Sequence, residues 1–190
     1  MRILTLPEAE VPGELKLQVA ALQHQAWPDP AGPTAAPVHD PALHPLSLLL
    51  LDGDRVVAAL DILSKPLHHA GRTYAASGLS AVVTDRAVRG RGHGHHLVTA
   101  ARTTIERSGA DLAIFTCDRE LLPFYERAGF SLLPGTTLIG GTPEAPFPSD
   151  QEGFDKLTVA TFLTPQARHH RPDFLHTRIA LHPGEIDKLW

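Results

Sequence analysis

The chain is short of what several common functions require. It has one cysteine, Cys117, in 190 residues, so no intrachain disulfide can form. No run of Lys and Arg marks a nucleic-acid surface, and 17 basic against 21 acidic residues give a net charge of −4. No stretch approaches the roughly 18 apolar residues of a membrane span. The first ten residues lack the apolar centre of a secretion signal. These absences predict a cytoplasmic protein with neither nucleic acid nor membrane as partner. An anionic balance suits a cationic substrate such as an amine. The twelve histidines hold no His-Glu-x-x-His and no Cys/His set at zinc spacing, so no metal is predicted. What the chain does have is apolar residues, 43%, enough for one core across a single domain, 1–190.

The most informative stretch is Arg89-Gly90-Arg91-Gly92-His93-Gly94. An apolar run over 78–84 precedes it and reads as a buried strand. Leu97, Val98, Ala101 and Ile105 follow at helical spacing. The glycines therefore sit where a strand turns into a helix. Glycine lets the backbone approach a ligand closely, and the free N–H groups of a helix start favour an anion. The predicted ligand carries phosphates. The turn lacks the Gly-Lys-Ser/Thr end of a Walker loop and the Gly-x-Gly-x-x-Gly spacing of a dinucleotide fold.

A second motif lies downstream, from Cys117 through Asp118, Pro123, Phe124 and Tyr125 to Gly129 and Phe130. Arg-x-x-Gly-x-Gly resembles the pyrophosphate loop of the GNAT superfamily of acyl-CoA N-acyltransferases. The second motif resembles that superfamily's Asn-x-x-Ala-x-x-Phe-Tyr-x-x-x-Gly-Phe segment. It matches at Phe124, Tyr125, Gly129 and Phe130 and departs at Asp118 (usually Asn) and Leu121 (usually Ala). The resemblance spans about residues 14–165, with its specific part at 78–130. It implies the GNAT fold, of the α/β (α+β) class. That is a mixed, twisted sheet of about six to seven strands, with helices on both faces, splayed where the CoA strand leaves its neighbour.

The remaining chain reads consistently with that. Residues 14–25 put Leu15, Val19, Leu22 and Ala26 on one face of a first helix. Residues 27–45 are too proline-rich for regular structure and read as a loop. Runs at 46–51 and 55–63 flank Asp52-Gly53-Asp54, a hairpin signal. Strands are expected at 74–84, from Asp111, at 132–139 and at 157–163, with a Gly- and Pro-rich loop at 140–153. Pro123 suits the first turn of a short helix and Gly129 its cap.

The resemblance implies direct transfer of an acyl group, usually acetyl, from its CoA thioester to an amine. Val82, Val83 and Thr84 would pair with the pantetheine arm. Arg89, Gly90, Arg91, Gly92, His93, Gly94 and His95 would hold the pyrophosphate, and Asp118 would add a cofactor contact. Tyr125 is the candidate general acid, since a positioned phenol can protonate a departing thiolate. Cys117 reads as a packed thiol. The strand carboxylate that many relatives use as base is absent, and Ser80 stands near its usual place. The stretch between Val83 and Arg89 is one residue longer than the common form.

The C-terminal layout loosely resembles the aminoglycoside 2′-N-acetyltransferases, with an acidic loop before the last strand and a tail ending in Trp. It implies a small polycationic acceptor held by Asp150, Glu152, Asp187 and the Trp190 carboxylate, with Asp29 and Ser80 nearby. Asp187 lies one residue further from Trp190 than that tail requires. Two other readings stay open: a CoA-binding module without turnover, and a protein acetyltransferase whose 27–45 loop docks a peptide. A homodimer also stays open.

Overall fold

A computed structural model describes residues 1–28, 30, 32, 33 and 38–190. The chain runs β1 (Arg2–Pro7), α1 (Gly13–Ala26), β2 (Leu46–Asp52), β3 (Arg55–His69), β4 (Arg72–Thr84), α2 (His93–Arg107) and β5 (Leu112–Asp118). It continues with α3 (Leu122–Arg127), β6 (Ser131–Leu132), β7 (Thr137–Gly141), β8 (Pro146–Pro148), β9 (Lys156–Phe162), α4 (Pro165–His169) and β10 (Arg178–Ala180). Seven strands form a mixed sheet in the order β1-β2-β3-β4-β5-β9-β6, and three form a small sheet, β10-β7-β8. No helix among the described residues is long and apolar enough to cross a membrane.

The near-continuous apolar run of β2 is explained by burial on both faces. Leu48 and Leu50 pack with Leu97, Val98, Ala101 and Ile105 of α2. Leu49 and Leu51 pack on the other face, where α1 contributes Leu22 and, partly buried, Leu15, Val19 and Ala26. Both hairpins turn in two residues. Gly53 at φ 61° joins β2 to β3, and Ala70-Gly71, both at positive φ, joins β3 to β4.

Two features of β4 shape the molecule. Asp61 faces Ser80 and Ala59 faces Val83, so Ala81 and Val82 together oppose one residue of β3. That is a β-bulge, with Ala81 at φ 49°, and it takes backbone groups out of the ladder. Beyond it, β4 pairs with β5 only at Ala76–Leu112 and Ser77–Ala113, after which the strands diverge. The expected splay is there.

The strand expected at 132–139 is corrected to two. Pro134 has no N–H for a ladder and Gly135 turns the chain at φ 65°, so β6 ends in the large sheet and β7 begins in the small one. The loop at 140–153 contains the edge strand β8, whose prolines an edge tolerates.

Candidate active site

Two clefts meet where β4 bulges. The first encloses about 750 Å³ and is lined by the end of β4, the glycine turn, the start of α2 and part of α3. Gly90 and Gly92 sit at φ 79° and 83°, left-handed conformations that disfavour a Cβ, and Gly92 caps α2. Gly94 is needed for another reason: a Cβ there would lie 2.9 Å from Thr84 Oγ1 and 3.6 Å from Phe124, so its absence lets α2 approach β4. No side chain caps α2, leaving its first-turn N–H groups aimed into the cleft mouth. Val82, Val83, Thr84, Arg89, Gly90, Gly92, His93, Gly94 and His95, the residues expected to meet the cofactor, all line this cleft. Arg91 is exposed and does not, while Arg127 of α3, unforeseen, does. The buried His93 Nε2 has no partner among the described residues.

The second cleft, of about 520 Å³, lies on the other side of the bulge. Ser80, Asp118, Tyr125, Asp187 and Trp190 all line it. Tyr125, Val82, Leu121 and Trp27 line both clefts, so Tyr125 sits at their junction. Its ring is held edge-on by Phe115 and Phe124, each 5.0 Å away between centroids. Burial, with lesser contributions from Cys117 and Asp118, pushes its phenol well above the ordinary tyrosine value. Burial and then the Asp118 charge push the Cys117 thiol up to about 11, so it stays protonated at neutral pH.

Several expectations for the acceptor side need correction. Asp118 is on the second cleft, not the first, and is ion-paired with Lys156, its cross-strand neighbour on β9. Asp150 does not reach either cleft. It pairs with Arg178 Nη1 at 2.9 Å and accepts from Thr137 Oγ1 at 3.2 Å, fastening the small sheet. That pairing holds its carboxyl below the usual range. Glu152 is exposed and also lines neither cleft. Asp29 lies outside the described residues. Trp190 is buried as a wedge in the splay, where its Nε1 donates to Ile114 O at 2.8 Å. Gly78 makes room for it, since a Cβ there would stand 2.4 Å from the indole.

The sequence reading missed a buried ion cluster. His39 Nδ1 is 2.5 Å from Asp187 Oδ1, and its Nε2 is 3.2 Å from Asp61 Oδ2. Ser47 Oγ donates to Asp61 at 2.5 Å, and the Asp40 N–H donates to Asp187 at 2.9 Å. Burial alone would lower the His39 pKa, but the bond to Asp187 and the nearby Asp61 carboxylate outweigh it and push it up to about 10. His39 is therefore a cation that clamps the tail to β3. The one hint was Asp61 itself, a lone acid inside the apolar run of β3.

The residues 8–133 match the family model described as "Acetyltransferase (GNAT) domain". The chain belongs to the GNAT acetyltransferase family. It is an acyl-CoA N-acyltransferase. Several solved structures share the fold at low identity. The Escherichia coli GNAT family N-acetyltransferase YhbS, in complex with CoA, is 19% identical with a TM-score of 0.63, over 96% of this chain and 91% of that one. An aminoglycoside 6′-N-acetyltransferase complexed with coenzyme A is 14% identical with a TM-score of 0.58, over 87% and 98%. Escherichia coli ElaA is 17% identical with a TM-score of 0.56, over 84% and 97%. No curated protein matches the chain in sequence.

Proposed function

We propose that this GNAT enzyme transfers an acetyl group from acetyl-CoA directly to a primary amine. The observation that carries the reading is the meeting of two clefts at Tyr125 and Val82, beside the β4 bulge. The cleft with the uncapped helix start and the glycine turn suits the pyrophosphate of CoA. The diverging edges of β4 and β5 suit the amides of the pantetheine arm. The bulge frees backbone N–H groups for the oxyanion of the tetrahedral intermediate.

In the reaction the amine nitrogen attacks the acetyl carbon, an N–C bond forms and the C–S bond breaks. The CoA sulfur leaves as thiolate. Of the ammonium's three protons, one goes to water before attack and one stays on the amide. The other leaves the nitrogen as the intermediate collapses and is balanced by the proton the thiolate takes up. Because burial holds the phenol of Tyr125 above the ordinary value, it is fully protonated at neutral pH. It is a weaker acid than a thiol, so it serves first as a hydrogen-bond donor to the departing sulfur, and bulk solvent completes the protonation. Among the described residues, the two side-chain carboxylates lining the second cleft, Asp118 and Asp187, are already ion-paired. The ammonium therefore loses its proton to water before attack. The polycationic acceptor implied by the tail loses part of its support, since Asp150 and Glu152 line neither cleft and Asp187 shares the His39 cation with Asp61, which leaves the Trp190 terminus of that set on the cleft.

The test is release of CoA thiol from acetyl-CoA with an amine panel, for the parent and Tyr125→Phe. The expected loss is about 10²-fold in kcat, with the KM for acetyl-CoA unchanged. An unchanged kcat overturns the role of Tyr125, and release with no amine overturns the reaction.

A further inference from the structure

The second cleft has a composition that points to what it accepts. Its described side-chain carboxylates already have cations: Asp118 pairs with Lys156, and Asp187 shares His39 with Asp61. The remaining side-chain charge is a cation, Lys188, which lies 5.4 Å from the Phe147 ring centroid and makes no ion pair among the described residues. Among the described residues, an acceptor with several ammonium groups meets no unpaired side-chain carboxylate here.

The apolar surface is the positive signal. The described residues leave six large hydrophobic side chains exposed, and four of them, Trp27, Val38, Leu121 and Ile186, line this one cleft. Single exposed hydrophobics are ordinary, but a cluster around a concave site marks a binding surface. Trp27 and Leu121 also border the CoA cleft. Val38 and Ile186, 42% and 65% exposed, border the acceptor cleft and not the CoA cleft. Phe147 and Phe154 add an aromatic wall, packed edge to face at 5.1 Å. The volume of about 520 Å³ is that of a small-molecule site.

We propose that the acceptor is a small amine with a single ammonium group on an apolar or aromatic body. The body lies between the Phe147–Phe154 wall and the Val38–Ile186 rim, with its nitrogen toward Tyr125. This rests on the acetyl-transfer reading above. Selectivity comes from apolar burial, and the carboxylates of Asp118 and Asp187 already hold cations of the protein.

The experiment measures CoA thiol release with acetyl-CoA against three sets of acceptors. These are n-alkylamines of increasing length with 2-phenylethylamine, the polycations spermidine and kanamycin, and a Lys-containing peptide. The expected result is a rise in kcat/KM of about three- to fourfold per added methylene until the cleft is filled. The apolar series should change by less than about twofold between roughly 0.05 and 0.5 M KCl, because no long-range charge steers it. Ile186→Asp should cut kcat/KM for 2-phenylethylamine by about tenfold and leave the KM for acetyl-CoA unchanged, since the side chain is on the acceptor rim alone. Faster turnover of a polycation or of the peptide than of any apolar amine overturns the proposal, as does a flat alkyl series. A protein that binds acetyl-CoA by calorimetry and turns over none of the three sets overturns the transfer reading itself, a result distinct from a wrong acceptor preference.

Discussion

Replacing His39 with Gln removes the cation that joins Asp61 on β3 to Asp187 in the tail. The consequence for stability depends on pH, and its sign follows from the pKa. The imidazole is pushed up to about 10 in the folded protein, against about 6.5 unfolded. A raised pKa means that the folded state binds the proton more tightly. Its stabilisation is complete below the unfolded value and is lost as pH rises toward the folded one. Linkage between those two values gives a loss of about 2.5 kcal/mol from pH 7 to pH 9. For a chain of 190 residues that is roughly 5–10 °C in Tm. The Gln variant leaves two carboxylates buried without their cation and should be less stable by about 3–5 kcal/mol at pH 7. It should also lack the His39 part of the alkaline slope. Cys117 and Tyr125, both shifted upward, add an alkaline loss above about pH 9, but they do so in both proteins. The assay is thermal unfolding by circular dichroism at half-unit pH steps from 6 to 9, on parent and variant. Parallel Tm curves across that range would refute the reasoning, because His39 would then not change its proton binding on folding.

Two further outcomes follow from the same geometry. Gly92→Ala forces a Cβ onto φ 83° at the cap of α2 and should cost about 1–2 kcal/mol. Isothermal titration should then show weaker acetyl-CoA binding, and an unchanged Kd would mean the helix start does not hold the pyrophosphate. With no free side-chain carboxylate lining the acceptor cleft among the described residues, kcat/KM for an amine should rise about tenfold per pH unit from pH 6 until the amine's own pKa, near 10. A plateau near pH 7 would reveal a base in the site.

What could be read from the sequence was local. The hairpin at Gly53, the glycine turn before α2 and the helix bearing Tyr125 each depend on residues a few positions apart, and each is where the motifs place it. The lining of the first cleft was legible for the same reason, since one strand, one turn and one helix start build most of it. The acceptor side was not. His39 and Asp187 are separated by 148 positions, and their pairing depends on how the tail packs back on the sheet. Asp118 reads as a cofactor contact from its motif, and its pairing with Lys156 arises only in the β5–β9 register. The Asp150 loop looked like a pocket wall until Arg178, 28 residues on, claimed its carboxylate. Trp190 at Gly78 leaves no local pattern at either position, because a glycine without positive φ reads as a weak strand residue and not as a socket.

The divergence of β4 from β5 has a consequence of its own. An ordinary open sheet has two borders, one at each end, and each offers unused N–H and C=O groups that another polypeptide can join. This sheet gains two extra borders in its middle, facing each other across a gap that starts after Ser77 and Ala113. They are shielded by position, since a gap bounded by sheet on both sides and wedged by an indole admits a thin chain but not a folded neighbour. These inner edges are thereby open only to something as narrow as an extended chain, and the usual hazard of an unpaired strand, association with other proteins, is limited by geometry.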